Sequence, residues 1–255
     1  MRRTLLFALA LLLPLSVFAQ TASWTLLHTV PRAPQHFTQG LVFSGEQLFE
    51  STGRYGQSAV IAYDAKTLLE KKRVYLPDNV FGEGLTVLNG KLYQLSWKSQ
   101  KIFIYNTQLQ LLKTLPMRGE GWGLTTDGTS LIVSNGSDTL QFLDPETGNL
   151  QRKISVRDDN KAQKNINELE WLDGYILANV WLSNTVLLID ARSGEVVNRY
   201  DFTALAATQT SQENPEKNPD DVLNGLAWSP YTQTLLMTGK NWPVWFVVKI
   251  TQPQH

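Results

Sequence analysis

The stretch FGEGLTVLNGKLYQLSW, from Phe81 to Trp97, decides the fold of this chain. It predicts two antiparallel strands joined by the tight turn Asn89-Gly90, because Asn-Gly between two alternating apolar runs is a strong hairpin signal. The chain repeats this pattern four more times. The other copies are FTQGLVFSGEQLFESTG from Phe37, GWGLTTDGTSLIVSNG from Gly121, INELEWLDGYILANVW from Ile166 and LNGLAWSPYTQTLLMTGK from Leu223.

The five copies align on the Gly-Leu or Glu-Leu pair near the start of each. Measured between positions 39, 83, 122, 167 and 224, they lie 44, 39, 45 and 57 residues apart. Repeats of about 40–45 residues with short strands are typical of β-propeller blades made of four antiparallel strands. The sequence therefore predicts an all-β fold, a five-bladed β-propeller.

Two outer strands should follow each of the first four hairpins, but the fifth hairpin is followed by only one, at residues 245–250. A spare strand, residues 24–30, precedes the first copy. We expect it to complete the last blade, which closes the ring and hides the sheet edges. The other predicted outer strands are residues 58–64, 72–76, 101–106, 111–115, 139–144, 152–156, 185–190 and 196–202.

The first 19 residues are typical of a cleavable secretory signal peptide. Arg2 and Arg3 precede an apolar run over residues 4–13, and the small residue Ala19 stands before Gln20. An uncleaved N-terminal anchor is the alternative, although the run is short for a spanning helix. We expect a periplasmic or secreted protein whose residues 20–255 form one propeller domain. Its long polar loop, about residues 203–222 and with a short helix at its start, is expected to be peripheral.

Composition excludes several classes of function. The chain has 255 residues with 23 Lys and Arg against 23 Asp and Glu, so its net charge of zero gives no electrostatic basis for binding nucleic acid. Cysteine is absent, which excludes disulfides, thiolate metal sites and a cysteine nucleophile. Three scattered histidines, His28, His36 and His255, do not have the spacing of a zinc site. No cofactor, metal or membrane partner after signal cleavage is expected, and the protein is expected to be a monomer.

Two sets of residues should meet at one mouth of the central channel. A hairpin begins and ends at the same end of a blade, and the first strand of each propeller blade lines the channel. The residues before the aligned pair form the first column: Gln39, Glu83, Trp122, Asn167 and Asn224. The second column lies 14 positions later, or 16 in the last copy: Gly53, Trp97, Gly136, Trp181 and Lys240.

These two columns point to acid–base chemistry. They offer one carboxylate, one ammonium, three carboxamides and three indoles, with no Ser, Thr, Cys or His to serve as a nucleophile. A carboxyl group walled by indoles should have its pKa raised toward neutrality, which suits a proton shuttle. The residues imply a small ligand that brings its own nucleophile.

The motifs FTQGL, LFESTGRYG, FGEGLT, LYQLSW, GWGL, INELEW, NVW, LNGLAW and TGK resemble the glutaminyl-peptide cyclotransferases of the plant and bacterial type. The resemblance extends from about Phe37 to Trp242. It implies a five-bladed propeller that converts N-terminal glutamine of peptides or proteins to pyroglutamate and releases ammonia, without the zinc of the animal enzymes. It also implies that Glu83 is catalytic and that the substrate-binding residues are Phe37, Gln39, Trp97, Trp122, Asn167, Trp181 and Lys240.

Other interpretations of the same residues remain open. A non-catalytic periplasmic ligand-binding or scaffolding propeller would also have a tryptophan-lined mouth, because one fold hosts many functions. A hydrolase that uses Glu83 with a second acid is disfavoured because the columns supply no second carboxylate. Residue by residue, Glu83 could bond turn amides between blades and Asn224 could serve packing alone. Glu50, Arg54 and Tyr55 are expected close to the mouth, as candidates to support the residues that line it. Trp24, Trp171, Trp228, Trp242 and Trp245 are assigned to the core.

Overall fold

The computed structural model describes residues 23–32, 36–209 and 219–251. Five four-stranded antiparallel sheets contain almost all of the described strands, and they are the five predicted blades. The first strand of each blade contacts the first strands of both neighbouring blades, so the sheets surround one central axis. The predicted all-β, five-bladed propeller is confirmed.

Four blades are continuous stretches of chain, with strands in sequence order from the channel outwards. The first contains β2 (Thr38–Ser44), β3 (Gln47–Thr52), β4 (Ala59–Asp64) and β5 (Glu70–Tyr75). The second contains β6 (Gly82–Leu88), β7 (Lys91–Ser96), β8 (Lys101–Asn106) and β9 (Leu111–Pro116). The third contains β10 (Leu124–Thr126), β11 (Leu131–Val133), β12 (Thr139–Leu143) and β13 (Leu150–Ser155). The fourth contains β16 (Ile166–Leu172), β17 (Tyr175–Val180), β18 (Thr185–Asp190) and β19 (Val196–Asp201).

The fifth blade joins the two ends of the described chain. Its strands are β20 (Leu223–Ser229), β21 (Thr234–Gly239), β22 (Val244–Ile250) and, outermost, β1 (Trp24–Pro31). The pairing of β1 with β22 is antiparallel and runs from Trp24 opposite Ile250 to Pro31 opposite Val244. The prediction that the N-terminal strand completes the last blade is confirmed.

A buried cluster around Arg32 strengthens this closure. Arg32 follows β1, and its guanidinium donates to Glu50 Oε1 in the first blade at 2.7 Å and to Thr238 Oγ1 in the fifth blade at 3.0 Å. His36 Nδ1 and Tyr63 Oη lie 3.0 Å and 2.6 Å from Glu50 Oε2. The Arg32 guanidinium therefore ties the end of the N-terminal strand to both blades at the closing interface. Glu50 lies in this cluster and does not line the mouth.

Hydrophobic clusters between adjacent blades hold the ring together. There are five such clusters among the described residues, one for each blade interface. At the closing interface Leu41 and Leu48 of the first blade pack with Leu236 and Trp245 of the fifth. Burying one such large side chain contributes about 1.5–3 kcal/mol, so these clusters stabilise every interface between blades.

Small residues let the inner strands approach one another closely. A Cβ atom at Gly123 would lie 1.9 Å from the backbone oxygen of Asn167, and one at Gly84 would lie 2.4 Å from the backbone nitrogen of Leu124. In the fourth blade Glu168 takes the equivalent position. Its buried side chain reaches the first blade, where Oε1 accepts a hydrogen bond from the Leu41 N–H at 3.4 Å. Because the first and fourth blades are not neighbours, this side chain crosses the channel.

Several details differ from the sequence predictions. The strand bounds are shifted by one or two residues, and a small extra hairpin, β14 (Arg157–Asp158) and β15 (Lys161–Ala162), precedes the fourth blade. The short helix predicted after the fourth blade is α1 (Thr203–Thr208). Trp242 and Trp245 are buried as predicted, whereas the indoles of Trp24, Trp171 and Trp228 are only half-buried against the same clusters.

The predicted signal peptide lies outside the described residues, so the boundary at residue 19 stays a prediction. In the part of the chain that is described, no helix has the length and apolar character needed to traverse a bilayer.

Candidate active site

Backbone irregularities aim the first-column side chains at the channel mouth. In four inner strands the pairing register shifts where the column residue lies: at Gln39, Glu83, Asn167 and Asn224. A β-bulge places an extra residue in one strand and turns its side chain out of the regular alternation, and bulges recur beside active sites. The repeated bulge is the local cause of the cluster at the mouth.

A recurring backbone bond places the second column beside the first. In four blades the N–H of the second-column residue donates to the carbonyl two residues before the first column. These bonds are Gly53 to Phe37 at 2.8 Å, Trp97 to Phe81 at 3.0 Å, Trp181 to Asn165 at 2.7 Å and Lys240 to Val222 at 2.9 Å. Each hairpin therefore returns its last residue to the mouth at which it began.

All eight predicted site residues surround one cavity of about 540 Å³. Its wall is completed by three side chains that were not assigned to the site: Phe81, Arg54 and Asp220. The residues that line the cavity are Phe37, Gln39, Arg54, Phe81, Glu83, Trp97, Trp122, Asn167, Trp181, Asp220 and Lys240.

A larger cavity of about 860 Å³ lies between the β2–β3 turn, β1 and the fifth blade. Its walls are mainly apolar, and its charged residues, His28, Glu46 and Lys66, are exposed. We place the active site in the smaller cavity, because of these two cavities it is the one that combines buried ionisable groups with carboxamides.

Burial gives Glu83 the properties of a proton carrier. Only 5 % of the residue is exposed, and desolvation raises the pKa of its carboxyl well above the usual value. The Lys240 ammonium opposes this rise, and the Glu120 carboxylate adds to it. The rise favours the acid form of Glu83, as the indole walls predicted.

Lys240 is the basic counterpart of Glu83. Desolvation lowers the pKa of its buried ammonium, while the carboxylates of Glu83 and Asp220 oppose the fall. The Nζ atom lies 4.7 Å from the centroid of the Phe37 ring, which stabilises the charged form through a cation–π contact. Burial thus pushes both ionisable groups toward their neutral forms, while their mutual attraction favours the charged ones.

Asn224 sets the orientation of two cavity carboxamides. Its Nδ2 donates to the backbone carbonyl of Thr38 at 2.9 Å and to Gln39 Oε1 at 3.1 Å, and its Oδ1 accepts from Asn167 Nδ2 at 2.9 Å. A backbone carbonyl can only accept, so the Thr38 bond fixes which end of the Asn224 amide is NH₂. Gln39 is then left with its NH₂ donor for the cavity, and Asn167 with its Oδ1 acceptor.

Aromatic side chains form the walls in two groups. Trp122 meets Trp181 edge to face, with ring centroids 5.6 Å apart. Phe81 lies between Trp97 and Phe37 with centroids at 5.6 Å and 6.1 Å. The second-column glycines make room for these rings, since a Cβ at Gly136 would lie 2.5 Å from Trp122 and one at Gly53 would lie 2.3 Å from Phe81.

Two expectations about the mouth are wrong. Carboxylates besides Glu83 do lie there: Asp220 lines the cavity, and Glu120 accepts hydrogen bonds from two wall indoles. The long loop is not wholly peripheral, because its last residues reach the site. Asp221 accepts from the side chain of Asn241 at 2.6 Å, beside Lys240. Residues 210–218 of the loop lie outside the described part of the chain.

Two of the residues that the sequence analysis did not assign to the site could have been found from their positions in the repeat. Phe81 and Glu120 stand two residues before the first column, the same position as Phe37. No comparable signal existed for Asp220, which comes from the loop between blades. Among the described residues, no group of three or more His, Asp or Glu side chains is arranged to hold a metal ion.

Comparisons with known proteins agree with this geometry. The sequence profile of the family described as Glutamine cyclotransferase matches residues 8–250. Glutaminyl-peptide cyclotransferase from Arabidopsis thaliana is 36% identical over 230 residues, which is 87% of this chain and 69% of that protein. The crystal structure of Myxococcus xanthus Glutaminyl Cyclase matches with a TM-score of 0.83 at 34% identity, covering 91% of this chain and 97% of that one. Kuenenia stuttgartiensis Hydrazine Synthase matches with a TM-score of 0.50 at 18% identity, covering 87% of this chain and 64% of that one, which is a likeness of fold alone.

Proposed function

The chain belongs to the glutamine cyclotransferase family, and we propose that its cavity converts N-terminal glutamine of peptides and proteins to pyroglutamate by proton transfer through Glu83. The observation that carries the proposal is the buried carboxyl of Glu83 with a raised pKa, enclosed by indoles and facing Lys240. In an intramolecular aminolysis the substrate supplies both the nucleophile and the electrophile. The protein therefore needs a group that moves protons, and Glu83 is such a group.

The reaction forms one bond and breaks one bond. The α-amine nitrogen of the substrate attacks the side-chain amide carbon of the same glutamine and closes a five-membered ring. The tetrahedral intermediate then expels the amide nitrogen as ammonia. Holding the two groups in attack geometry removes up to about 7–11 kcal/mol of the barrier, so the remaining task is to move protons.

Glu83 moves the proton in both directions. The α-amine, with a usual pKa of about 7.7–8.0, must lose a proton to attack, and the leaving nitrogen must gain one. Glu83 as a carboxylate beside a substrate ammonium has the same number of protons as Glu83 as a carboxylic acid beside a neutral amine. One proton transfer therefore converts the first state into the second. Because burial raises the pKa of Glu83 toward that of the amine, this exchange costs less free energy than it would with an exposed carboxylate.

The carboxamides and Lys240 orient the reacting amide. The NH₂ of Gln39 and the ammonium of Lys240 are donors suited to the oxygen that becomes negative during attack. Asn167 has its Oδ1 acceptor unused, which suits it to hold an N–H of the amine or of the leaving group, and the second hydrogen of its NH₂ stays available as a donor. Phe37 and the three wall indoles, Trp97, Trp122 and Trp181, enclose the substrate methylenes and exclude water.

Release of ammonia from a short peptide that begins with Gln tests the proposal. The matched control is the same peptide beginning with Asn, whose shorter side chain would have to close a strained four-membered ring. Ammonia from the Gln peptide alone is the expected result. Binding of the Gln peptide without ammonia release would support a ligand-binding propeller instead.

Localisation and assembly complete the proposal. The basic, apolar and small residues of positions 1–19 support export to the periplasm or the medium, and the zero net charge supports a protein that binds no nucleic acid. We expect a monomer with no membrane partner after cleavage, to be checked by light scattering on the exported protein.

Cleavage after Ala19 would expose Gln20, so the mass of the exported chain should show the loss of one ammonia.

A further inference from the structure

Glu120 joins two walls of the cavity from behind. It lies in the connection between β9 and β10, and its Oε2 atom accepts hydrogen bonds from the indole Nε1 of Trp97 at 2.9 Å and of Trp122 at 3.3 Å. Trp97 follows β7 in the second blade, whereas Trp122 precedes β10 in the third. The neighbouring N–H of Gly121 donates to the Trp97 carbonyl at 3.3 Å, which holds the connection over the end of β7.

Among the described residues, Glu120 is the one side chain that hydrogen-bonds to both Trp97 and Trp122. Phe37, Phe81 and Trp97 form one chain of edge-to-face contacts, and Trp122 and Trp181 form another. Among the described residues no ring–ring contact joins Trp97 to Trp122. The Glu120 carboxylate is therefore a side-chain link between the two walls, and it acts beside the backbone bonds from the Gly121 N–H to the Trp97 carbonyl and from the Gly84 N–H to the Trp122 carbonyl at 2.7 Å.

The same carboxylate acts electrostatically on the catalytic acid. Its negative charge raises the pKa of Glu83, adding to the larger effect of burial. Among the described residues, the other ionisable side chains that line the same cavity are Lys240, Arg54 and Asp220. Lys240 lowers the pKa of Glu83, so Glu120 offsets part of the effect of this cation.

We propose that Glu120 is a positioning residue for the cyclisation: it fixes the two indoles at the spacing that encloses the glutamine side chain and keeps a negative charge behind Glu83. This inference rests on the proposed function, since it assigns Glu120 a part in that reaction. The competing explanation is that Glu120 only links the second and third blades, with no effect on the reaction beyond stability.

Two substitutions separate the two parts of the role. Glu120→Gln keeps a side-chain oxygen that can accept from both indoles, because one oxygen accepts both bonds now, but it removes the charge. Glu120→Ala removes the bonds and the charge together. Glu146→Gln is the matched control, since Glu146 is an exposed glutamate that pairs with Lys91 and Lys113 on the outer face.

The first measurement does not depend on activity. In ¹H–¹⁵N spectra the indole N–H signals of Trp97 and Trp122 are assigned from the variants Trp97→Phe and Trp122→Phe. We expect Glu120→Ala to move both signals and Glu146→Gln to move neither. Unmoved signals in folded Glu120→Ala would overturn the assignment of Glu120 as the link. This holds even if the wild-type protein releases no ammonia, an outcome that would instead count against the proposed function.

The second measurement is kinetic. Loss of two bonds to a charged acceptor should raise KM of Glu120→Ala at least about tenfold, with a smaller change in kcat. Glu120→Gln should keep KM within about threefold, while the limb of its pH–rate profile that reports Glu83 moves to lower pH. If both variants keep the wild-type KM and pH profile, or if both lose activity only in proportion to lost folded protein, the purely structural explanation is correct.

Discussion

Asn167 donates a hydrogen bond from Nδ2 to Oδ1 of Asn224, 2.9 Å away, and this bond decides which polar atom Asn167 presents to the cavity. Asn224 is fully buried, and the sequence analysis favoured packing over chemistry as its role. Its bond to the Thr38 carbonyl fixes the orientation of its own amide, and through it the amides of Asn167 and Gln39. One buried side chain thus gives the cavity a donor on one side and an acceptor on the other.

The variant Asn224→Asp should impair the reaction more than the fold. A carboxylate cannot donate to the Thr38 carbonyl or to Gln39 Oε1, so Gln39 must turn its NH₂ away from the substrate. Mispairing a buried polar group costs about 1–3 kcal/mol, which predicts a fall in kcat/KM of about 5- to 150-fold. Steady-state kinetics with a Gln-initiated dipeptide checks this, and exposed Asn149 mutated to Asp is the control. Wild-type kinetics in folded Asn224→Asp would contradict the orientation described here.

The close approach of the inner strands predicts a strong effect of one methyl group. In Gly123→Ala the new Cβ would meet the Asn167 backbone oxygen at 1.9 Å, and backbone atoms cannot move aside as a side-chain end can. We expect the variant to be insoluble or to melt far below the wild type. Gly90→Ala is the control: its Cβ would meet nothing within 4 Å, so only the left-handed φ of +69° adds strain, of about 1 kcal/mol. Equal melting temperatures of the two variants would show that the inner ring is loosely packed.

The buried Glu50 cluster predicts how stability depends on pH. Burial alone would raise the pKa of Glu50, but the Arg32 guanidinium and the hydrogen bonds from His36 and Thr38 outweigh burial and lower it from 4.5 to about 2. Its contribution to stability is therefore fully present above pH 4.5 and is lost as the pH falls toward 2. At 1.4 kcal/mol per pKa unit, this contribution is about 3 kcal/mol.

Glu50→Gln should lower the free energy of unfolding by about 3 kcal/mol at neutral pH. The substitution removes the carboxylate and leaves the buried guanidinium of Arg32 without its ion pair. The difference from wild type should shrink between pH 4.5 and pH 2. Urea unfolding at several pH values measures both. Glu46→Gln, which removes an exposed ion pair with Lys66, should have no measurable effect at any pH. A difference between Glu50→Gln and wild type that does not vary with pH would rule out this linkage.

The fold was predictable because the same local pattern occurs five times. Asn89-Gly90 and Asp173-Gly174 take the positive φ angles that their turns require, and the unpaired strand after the fifth hairpin implied a partner from the other end of the chain. The irregular third blade was less predictable, since its strands β10 and β11 have only three residues each. Periodicity fixes which residues alternate, but it does not fix where pairing stops.

The site was predictable where it follows the repeat and not where it departs from it. The two columns follow from antiparallel hairpins, so Glu83 and Lys240 could be placed together without a structure. Glu120 occupies a repeat position that is Phe in the first two copies, Asn in the fourth and Val in the fifth, so the repeat does not predict its role. Its partners, the two indole nitrogens, are known only from the three-dimensional structure. Asp220 belongs to no repeat. Which end of each carboxamide faces the cavity depends on the bond from Asn224 to the Thr38 carbonyl, and no sequence pattern reports this bond.

Replacement of Glu83 by Gln is the most direct test of the proposed mechanism. The amide keeps the shape and most of the hydrogen-bonding capacity of the side chain, but it cannot exchange a proton near neutral pH. General acid–base groups typically contribute about 10²–10⁴-fold, so ammonia release from a Gln-initiated dipeptide should fall at least about 100-fold. The affinity for an unreactive competing dipeptide should stay within a few-fold, because the indoles and carboxamides remain, and the melting temperature should not fall. A stable Glu83→Gln variant that retains most of its turnover would contradict the claim that Glu83 carries the proton.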